Sequence, residues 1–564
     1  MKKSISMLLV GAVLGSTVVG LAGCQIKNPN NKFDEDKTQL FVGNYNGGVG
    51  DKWLTSVVER FEKEYENYEL NGKTGVQVIL DSDKDCSGKT LGGTLKGDPN
   101  EVYFTQQVNY EQFVGDGLIR DITGLITAQN PKDGNKKIVD KLYDADKENL
   151  SVNGKYYAIP HYEWYAGLTY DAYMFSSENL YFADTIATDG TRDFVVNKNT
   201  KKSCGPDGKY NTYDDGLPSS YQEFYKMLDK VKTKGYAMVF SGEQTHYSHM
   251  LPTSLYANYM GVDGVNVNLN FDSNGKELEV IKSFSGNTPN VTKEVISEAN
   301  GNQYLINNQA GIYYGLELAA KIFGDSNSYY PDSSSGSFSF ISAQEAFLES
   351  GLSGGKRIAM FIDGSYWYNE AVSYGTVDRV KEDYVLFTTQ KDPKFMPLPQ
   401  QYSGTVTEGN GGAPVLVDVA SSYAFINATT KAEKVDLAEK FLAFCYTDEE
   451  LVNFTKNTSG TIRAVNYDYA SVEDELSGFG KSVFEMRLAA KEAGSFVRES
   501  SKHPTYIKHK ASFSLDTAYT WLSSPNCGKG YSHLWTAVYQ GNKSAQDYFK
   551  GMWITADDWN RLYK

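Results

Sequence analysis

Short apolar runs alternate with amphipathic helices in the first third of this chain, and that alternation most narrows the folds open to it. Gln39-Leu-Phe-Val42 reads as a strand, and a helix follows from about Asp51 to Tyr65, with Trp53, Val57, Val58 and Phe61 on one face. Val76 to Leu80 is a second strand. Glu101-Val-Tyr-Phe104 is a third, followed by a helix through Tyr110 and Phe113 to Gly117. Strands that alternate with helices imply an α/β fold with a parallel sheet covered on both faces. Ligands of such sheets gather beyond the carboxyl ends of the strands. The loops after Val42, Leu80 and Phe104 are therefore the first places to expect a site. They carry Asn44, Tyr45 and Asn46, then Asp81 and Asp83, then Gln106 and Gln107.

Ahead of this body, Lys2 and Lys3 precede an apolar run from Ile5 to Ala22, which reads as an export signal over residues 1–23. The run ends Leu21-Ala22-Gly23-Cys24, which resembles the lipobox of bacterial lipoproteins. That resemblance implies lipidation of Cys24 and anchoring to the outer face of the cytoplasmic membrane. Residues 24–37 are polar and form a flexible tether. No other run reaches the roughly 18 apolar residues of a membrane span. The net charge of −15 argues against a nucleic-acid partner bound through a broad basic face. The other cysteines, Cys86, Cys204, Cys445 and Cys527, lack the paired spacing of a zinc site. One or two disulfides among them fit an exported protein, with the pairing left open. Cys445 lies on an apolar helix face and is expected to be a buried thiol.

Further along, about Ser176 to Pro218 is Gly/Asp/Asn-rich and reads as an insertion. Tyr221 to Lys232 is an amphipathic helix, and Tyr236 to Phe240 a strand. Roughly Val262 to Asn300, and Gly324 to Ser339, read as irregular. No repeat of 20–50 residues is visible.

A more specific signal stands at Ile358-Ala-Met-Phe-Ile-Asp-Gly-Ser-Tyr-Trp367, preceded by a helix over Ala343 to Gly351 and a turn at Gly354-Gly355-Lys356. The series resembles the "aAM-strand-G-s-W" segment of family 1 solute-binding lipoproteins of ABC importers, the carbohydrate-binding, maltose-binding-protein-like family. Other stretches follow that family's order. Gly117-Leu-Ile-Arg-Asp-Ile122, Gly154 to Pro160, Pro218 to Phe224, Ser422 to Asn427 with Lys434 to Tyr446, and Gly460-Thr-Ile-Arg-Ala464 each resemble one of its landmarks. Alanine at 464 stands in place of the usual proline. The resemblance spans about Gln39 to Val465. It implies a two-lobe fold of the periplasmic-binding-protein type, each lobe a sheet flanked by helices, with three crossings between them. Lobe 1 would take 38–162 and 411–460, and lobe 2 would take 163–410 and 461–564. It also implies no catalysis and no required cofactor. The expected ligand is an oligosaccharide held in the cleft, and the expected partner is an ABC permease that receives it from a monomeric carrier.

Sugars present apolar faces and a rim of hydroxyls, so aromatic rings and polar side chains together are the expected contacts. The lead stacking platform is Trp367, with Tyr366 and Tyr368 beside it. A second group is Trp164 with Tyr162, Glu163 and Tyr165, just past the first crossing. Asp363, Arg463 and Asn410 are expected polar contacts, although Arg463 is equally suited to a structural salt bridge. Asp207 to Gly216 resembles a calcium loop seen in larger oligosaccharide-binding members of the family. Asp207, Asn211, Asp215, the Tyr213 carbonyl and Asp214 would surround a structural Ca²⁺, and Lys209 departs from the pattern. Asp81-Ser-Asp83-Lys-Asp85 lacks the glycine and glutamate of an EF-hand. The competing reading is a secreted lipoprotein glycoside hydrolase, which would need two carboxyl groups roughly 5–9.5 Å apart. No nucleophile elbow, phosphate loop or metalloprotease pattern accompanies it.

Overall fold

The structure is a computed structural model that describes residues 33–82, 86, 88–351, 356–380, 391–528 and 531–564. Cys24 and Asp83 lie outside the described residues. Two sheets organise the chain. The first is five-stranded, in the order Val76–Ser82, Thr38–Asn44, Val102–Phe104, Tyr423–Ile426, Ile159–Pro160. Its first three strands are parallel, and Tyr423–Ile426 runs antiparallel to both of its neighbours. The second is four-stranded, in the order Ala237–Val239, Ile358–Gly364, Ala166–Asp171, Pro393–Phe395. Helices pack on both sheets, so the mixed α/β architecture with a sheet in each lobe is as the sequence predicts. Among the described residues, no helix is long and apolar enough to cross a membrane.

The local reasons are visible in the side chains. The helix Lys52–Glu64 buries Trp53, Leu54, Val57 and Phe61, the one-face spacing of a helix laid on a sheet. Helix Tyr221–Thr233 starts where the Ser220 side chain accepts the Glu223 N–H at 3.3 Å, a capping contact that satisfies one of the helix's open donors. Every residue of strand Ile358–Gly364 is buried, as expected for a strand covered on both faces.

The stretch read as irregular, 262–300, is ordered instead. Two helical segments meet at Gly261 within Met250–Asn270, and an antiparallel hairpin pairs Glu277–Ser285 with Thr288–Val295. A register shift between Ile281 and Ser283 explains why the strand pattern is hard to see in the sequence. Val280 and Ile281 are both fully buried although adjacent, so the period-2 alternation breaks at the irregularity. Cys204, Cys445 and Cys527 are buried free thiols, and Cys86 is buried; the expected buried state of Cys445 is found.

Strand Ile358–Gly364 also decides the fate of Trp367. The sequence carried the strand to Trp367, but the strand ends at Gly364 and a helix, Trp367–Ser373, begins. The turn swings the indole under the sheet. Trp367 is 0% exposed, and its rings lie 5.2 Å from Phe361, 5.7 Å from Phe347 and 5.2 Å from Phe479. Its Nε1 donates to Thr169 Oγ1 at 2.9 Å. Trp367 is thus a core residue and not a stacking platform, and Tyr368 lies against Phe479 in the same cluster.

The segment expected to bring Asn410 into the cleft is pinned elsewhere. Gly409 N–H donates to the Gly208 carbonyl at 2.9 Å, and Gly412 N–H to the Pro206 carbonyl at 3.2 Å. Asn410 sits exposed on this outer turn. A Cβ on Gly411 would stand 2.3 Å from both Asp207 C and Gly208 N, so only glycine allows the two loops to touch.

Two stability measurements follow from these contacts. Trp367→Ala should lower stability by about 3–5 kcal/mol, read by denaturant unfolding, because it empties a packed aromatic site. Gly411→Ala should lower it by about 1–3 kcal/mol through overpacking of backbone on backbone. A Trp367→Ala protein with unchanged unfolding would contradict the core placement.

Candidate functional site

The carboxyl ends of the first sheet's parallel strands meet the loops of the second sheet. Loop 44–50, after strand Thr38–Asn44, lies against helix Trp367–Ser373, and Gly48 N–H donates to Glu370 Oε1 at 2.7 Å. Tyr162 OH donates to Gln106 Oε1 at 2.5 Å. Gly48 has φ +60, and a Cβ there would stand 2.2 Å from the Tyr162 hydroxyl. That position therefore requires glycine for its backbone and for its space. Trp164 and Tyr366 meet edge to face at 5.4 Å, and the Tyr366 and Tyr247 hydroxyls lie 3.5 Å apart.

This junction leaves polar atoms without partners. Asn44 Oδ1, Asn46 Oδ1, Trp164 Nε1, Asp363 Oδ2 and Gln344 Oε1 are all buried and have no hydrogen-bond partner among the described residues. Orphaned buried polar atoms are rare and call for an explanation. Each forgoes a bond to water, at about 1–3 kcal/mol. Five at one junction mark a place where something polar belongs. Asn44, Asn46, Trp164 and Asp363 are residues that the sequence singled out, and Tyr45, Tyr162, Tyr366 and Gln106 lie among them. Gln344 was missed. It sits on the buried face of helix Phe340–Glu349 with Phe347 and Leu348, and a polar residue at a core-facing helical position is the signal that could have found it.

Beside the junction opens a cavity of about 720 Å³, within the size range of small-molecule sites. Its walls include Thr90, Gln107, Asn109, Gln112 and Phe113 from the first sheet's side, and His246, Asp516 and Tyr519 opposite. Gln107 is exposed in a left-handed backbone conformation, φ 57. Such strain in a residue other than glycine tends to sit at functional positions. Burial raises the Asp516 carboxyl to about 7, against the Ala518 N–H bond, which lowers it. The wall from Asp516 to Tyr519 lies beyond the resemblance, which ends near Val465, so nothing in the sequence pointed to it. Amide and carboxyl groups facing rings of Phe113, Tyr519 and His246 can hold a ligand that has both hydroxyls and apolar faces.

Three expected contacts have other roles. Glu163 is buried in an ion pair: Arg487 Nε reaches its Oε2 at 2.7 Å and Nη2 its Oε1 at 3.1 Å. Tyr143 and Tyr165 also donate to it. Burial works to raise the Glu163 carboxyl, but Arg487 and these donors hold it below the usual range. A carboxylate with both oxygens occupied has little left for a ligand. Arg463 is 0% exposed and lies in an aromatic cage, 4.0 Å from the Phe454 ring and 4.5 Å from Trp53. It contacts His161 Nδ1 and no carboxylate, so it is neither a cleft contact nor a salt bridge. Burial pushes the His161 ring well below its ordinary value, with the Arg463 charge as second cause. Asp81 is half-buried at the strand end and accepts from Asn100 Nδ2 at 3.1 Å.

The Asp207 loop closes on its own amides. Asp207 N–H donates to Asp214 Oδ2 at 2.7 Å, and Asn211 N–H to Asp215 Oδ2 at 2.9 Å. Thr212 Oγ1 donates to Asp214 Oδ1 at 2.8 Å. Burial, then the Asp207 charge, raises Asp214 to about 8. Among the described residues, no group of three or more His, Cys, Asp or Glu is gathered to hold a metal ion. The loop read as a calcium cage of Asp207, Asn211, the Tyr213 carbonyl, Asp214 and Asp215 here has Asp214 and Asp215 accepting from its own amides. The carboxylates serve as turn caps instead.

No family model matches the chain, and no curated protein does. Solved structures do match. A chitin oligosaccharide binding protein is 16% identical, with a TM-score of 0.52, over 93% of this chain and 100% of its own. A protein solved in work on xylan utilization by the thermophilic bacterium Caldanaerobius polysaccharolyticus is 14% identical, with a TM-score of 0.52, over 92% of this chain and 99% of its own. The chain shares the fold of both across nearly its whole length.

Proposed function

We propose that this chain is a solute-binding protein that captures an oligosaccharide in the cleft between its two sheets and passes it to an ABC permease. Cys24 would carry the lipid that keeps it at the outer face of the membrane. The observation that carries the reading is the set of five orphaned polar atoms beside a cavity of about 720 Å³. A ligand rich in hydroxyls would bond Gln107, Asn109, Gln112 and Asp516 in the cavity wall, and the rings of Phe113 and Tyr519 would take its apolar faces. Two structures that share the fold bear names tied to chitin oligosaccharides and to xylan. Among the described residues, Asp516 is the one carboxylate in the cavity wall, whereas glycoside hydrolysis takes two across the scissile bond.

Calorimetry with chito- and xylo-oligosaccharides, with product analysis of the same mixtures, tests this. Saturable binding without turnover is expected, and hydrolysis at enzyme-like rates would sink the reading. Trp164→Phe removes an N–H that has no partner in the unliganded protein. It should leave the melting temperature unchanged or raised, because a buried donor without a partner is removed.

A further inference from the structure

We propose that Glu370, supported by Asp363, is the residue that positions the closed cleft, and that closing the cleft takes up a proton. The proposal rests on reading the molecule as a two-lobed protein that opens and closes. Glu370 stands on the second sheet's side and accepts Gly48 N–H from the first sheet's loop at 2.7 Å. Its other oxygen accepts Gln344 Nε2 at 2.8 Å. Asp363 Oδ1 accepts Gly364 N–H at 2.7 Å, while Asp363 Oδ2 and Gln344 Oε1 are without donors. Glu370 is thus buried beneath loop 44–50 and held by the Gln344 amide, whose own oxygen is orphaned, and Asp363 is buried near enough to feel the Glu370 charge. One added proton converts an acceptor into a donor at a place that lacks donors.

The titratable groups that feel the charge of the pair are Tyr45 from the capping loop, Tyr162, Tyr247, and Tyr366 and Tyr374 at either end of the short helix. His246 packs on Tyr247 at 5.1 Å and also lines the cavity. Among the described residues, no Lys or Arg is paired with either carboxyl. Glu345, on the Gln344 helix, pairs outward with Arg379. Two neighbouring buried carboxyls without a cation do not both remain ionised. Burial raises Glu370 to about 7, and burial followed by the Glu370 charge carries Asp363 well above the usual carboxylate range.

Lifting loop 44–50 admits water and returns the carboxyls toward ordinary values. A group whose proton affinity is higher in the closed form makes that form bind more protons. Closure is therefore favoured as pH falls through about 7, and the effect is complete near the ordinary glutamate range. One linked proton changes the closed-to-open ratio by at most about tenfold per pH unit.

Small-angle scattering of the ligand-free protein at about pH 8 and about pH 5.5, on either side of Glu370 in the closed form, tests this without knowing the sugar. The wild type should have the smaller radius of gyration at the lower pH, and Glu370→Gln should narrow the difference, since Asp363 alone is left to take up a proton. Glu370→Gln combined with Asp363→Asn leaves neither carboxyl to titrate and should give one value at both; if Glu370→Gln does not fold, Asp363→Asn serves as the second variant and should narrow the difference likewise. A wild-type radius that does not change, or a folded Glu370→Gln protein that follows the wild type, overturns the proposal. Calorimetry with chitotetraose and xylotetraose at neutral pH separates the two readings. Sugar binding without the pH effect removes the proton link alone. The pH effect without binding of any glycan removes the sugar assignment alone.

Discussion

Buried guanidinium groups brace the places where the chain passes from one sheet to the other. Arg487, on helix Gly478–Ala493, grips Glu163 between strands Ile159–Pro160 and Ala166–Asp171. Arg498, on strand Phe496–Arg498, contacts Asp418 and reaches Asp146 Oδ2 at 2.6 Å. Asp418 belongs to strand Leu416–Asp418, which pairs in parallel with Phe496–Arg498 and precedes the return to the first sheet. Such pairs add little net stability over apolar residues of like shape, but losing one partner strands a charge at about 3–5 kcal/mol. Their role is therefore geometric. They hold both passes at a fixed spacing, and the loops beyond them meet in one arrangement.

That bracing explains the division of labour near the cleft. Charged residues next to the passes are consumed by structure: Glu163 by Arg487, Asp418 by Arg498 and Trp164 N–H. The guanidinium groups of Arg463, Arg487 and Arg498 keep nitrogens without a partner, and at the junction itself the unmet bonds fall mainly on amides and an indole. Neutral groups of this kind can stay buried without a partner at modest cost until a ligand arrives, whereas an isolated charge cannot.

Most of the candidate site on the first sheet was legible from the chain itself. Asn44, Tyr45, Asn46, Gln106 and Gln107 follow strands whose apolar pattern is short and clear, and the parallel-sheet rule places a site at those ends. On the second sheet the same reasoning located the segment and misjudged the side chains. Tyr366 reaches the junction, while Trp367, its neighbour, is buried in the core. One residue of helix turns a side chain by about 100°, so a strand that ends three residues early reverses which ring faces the cleft. Arg463 was open to two readings, cleft contact or salt bridge, and took neither. A guanidinium flanked by Trp53, Phe454 and Tyr446 gathers rings from three separate helices or turns, a juxtaposition with no local pattern.

Local sequence was enough to establish the α/β class, the strand and helix positions near the amino-terminal end of the body, and the export and anchoring signals as expectations. Those features depend on periodicity and on short motifs, which neighbouring residues carry. Pairing across hundreds of residues was settled only by the folded chain: Gly48 against Glu370, Asp516 opposite Gln107, and the Pro206–Gly208 turn against Gly409 and Gly412. Each depends on which groups burial brings together and which it leaves without a partner. That balance of desolvation against available donors exists only in three dimensions.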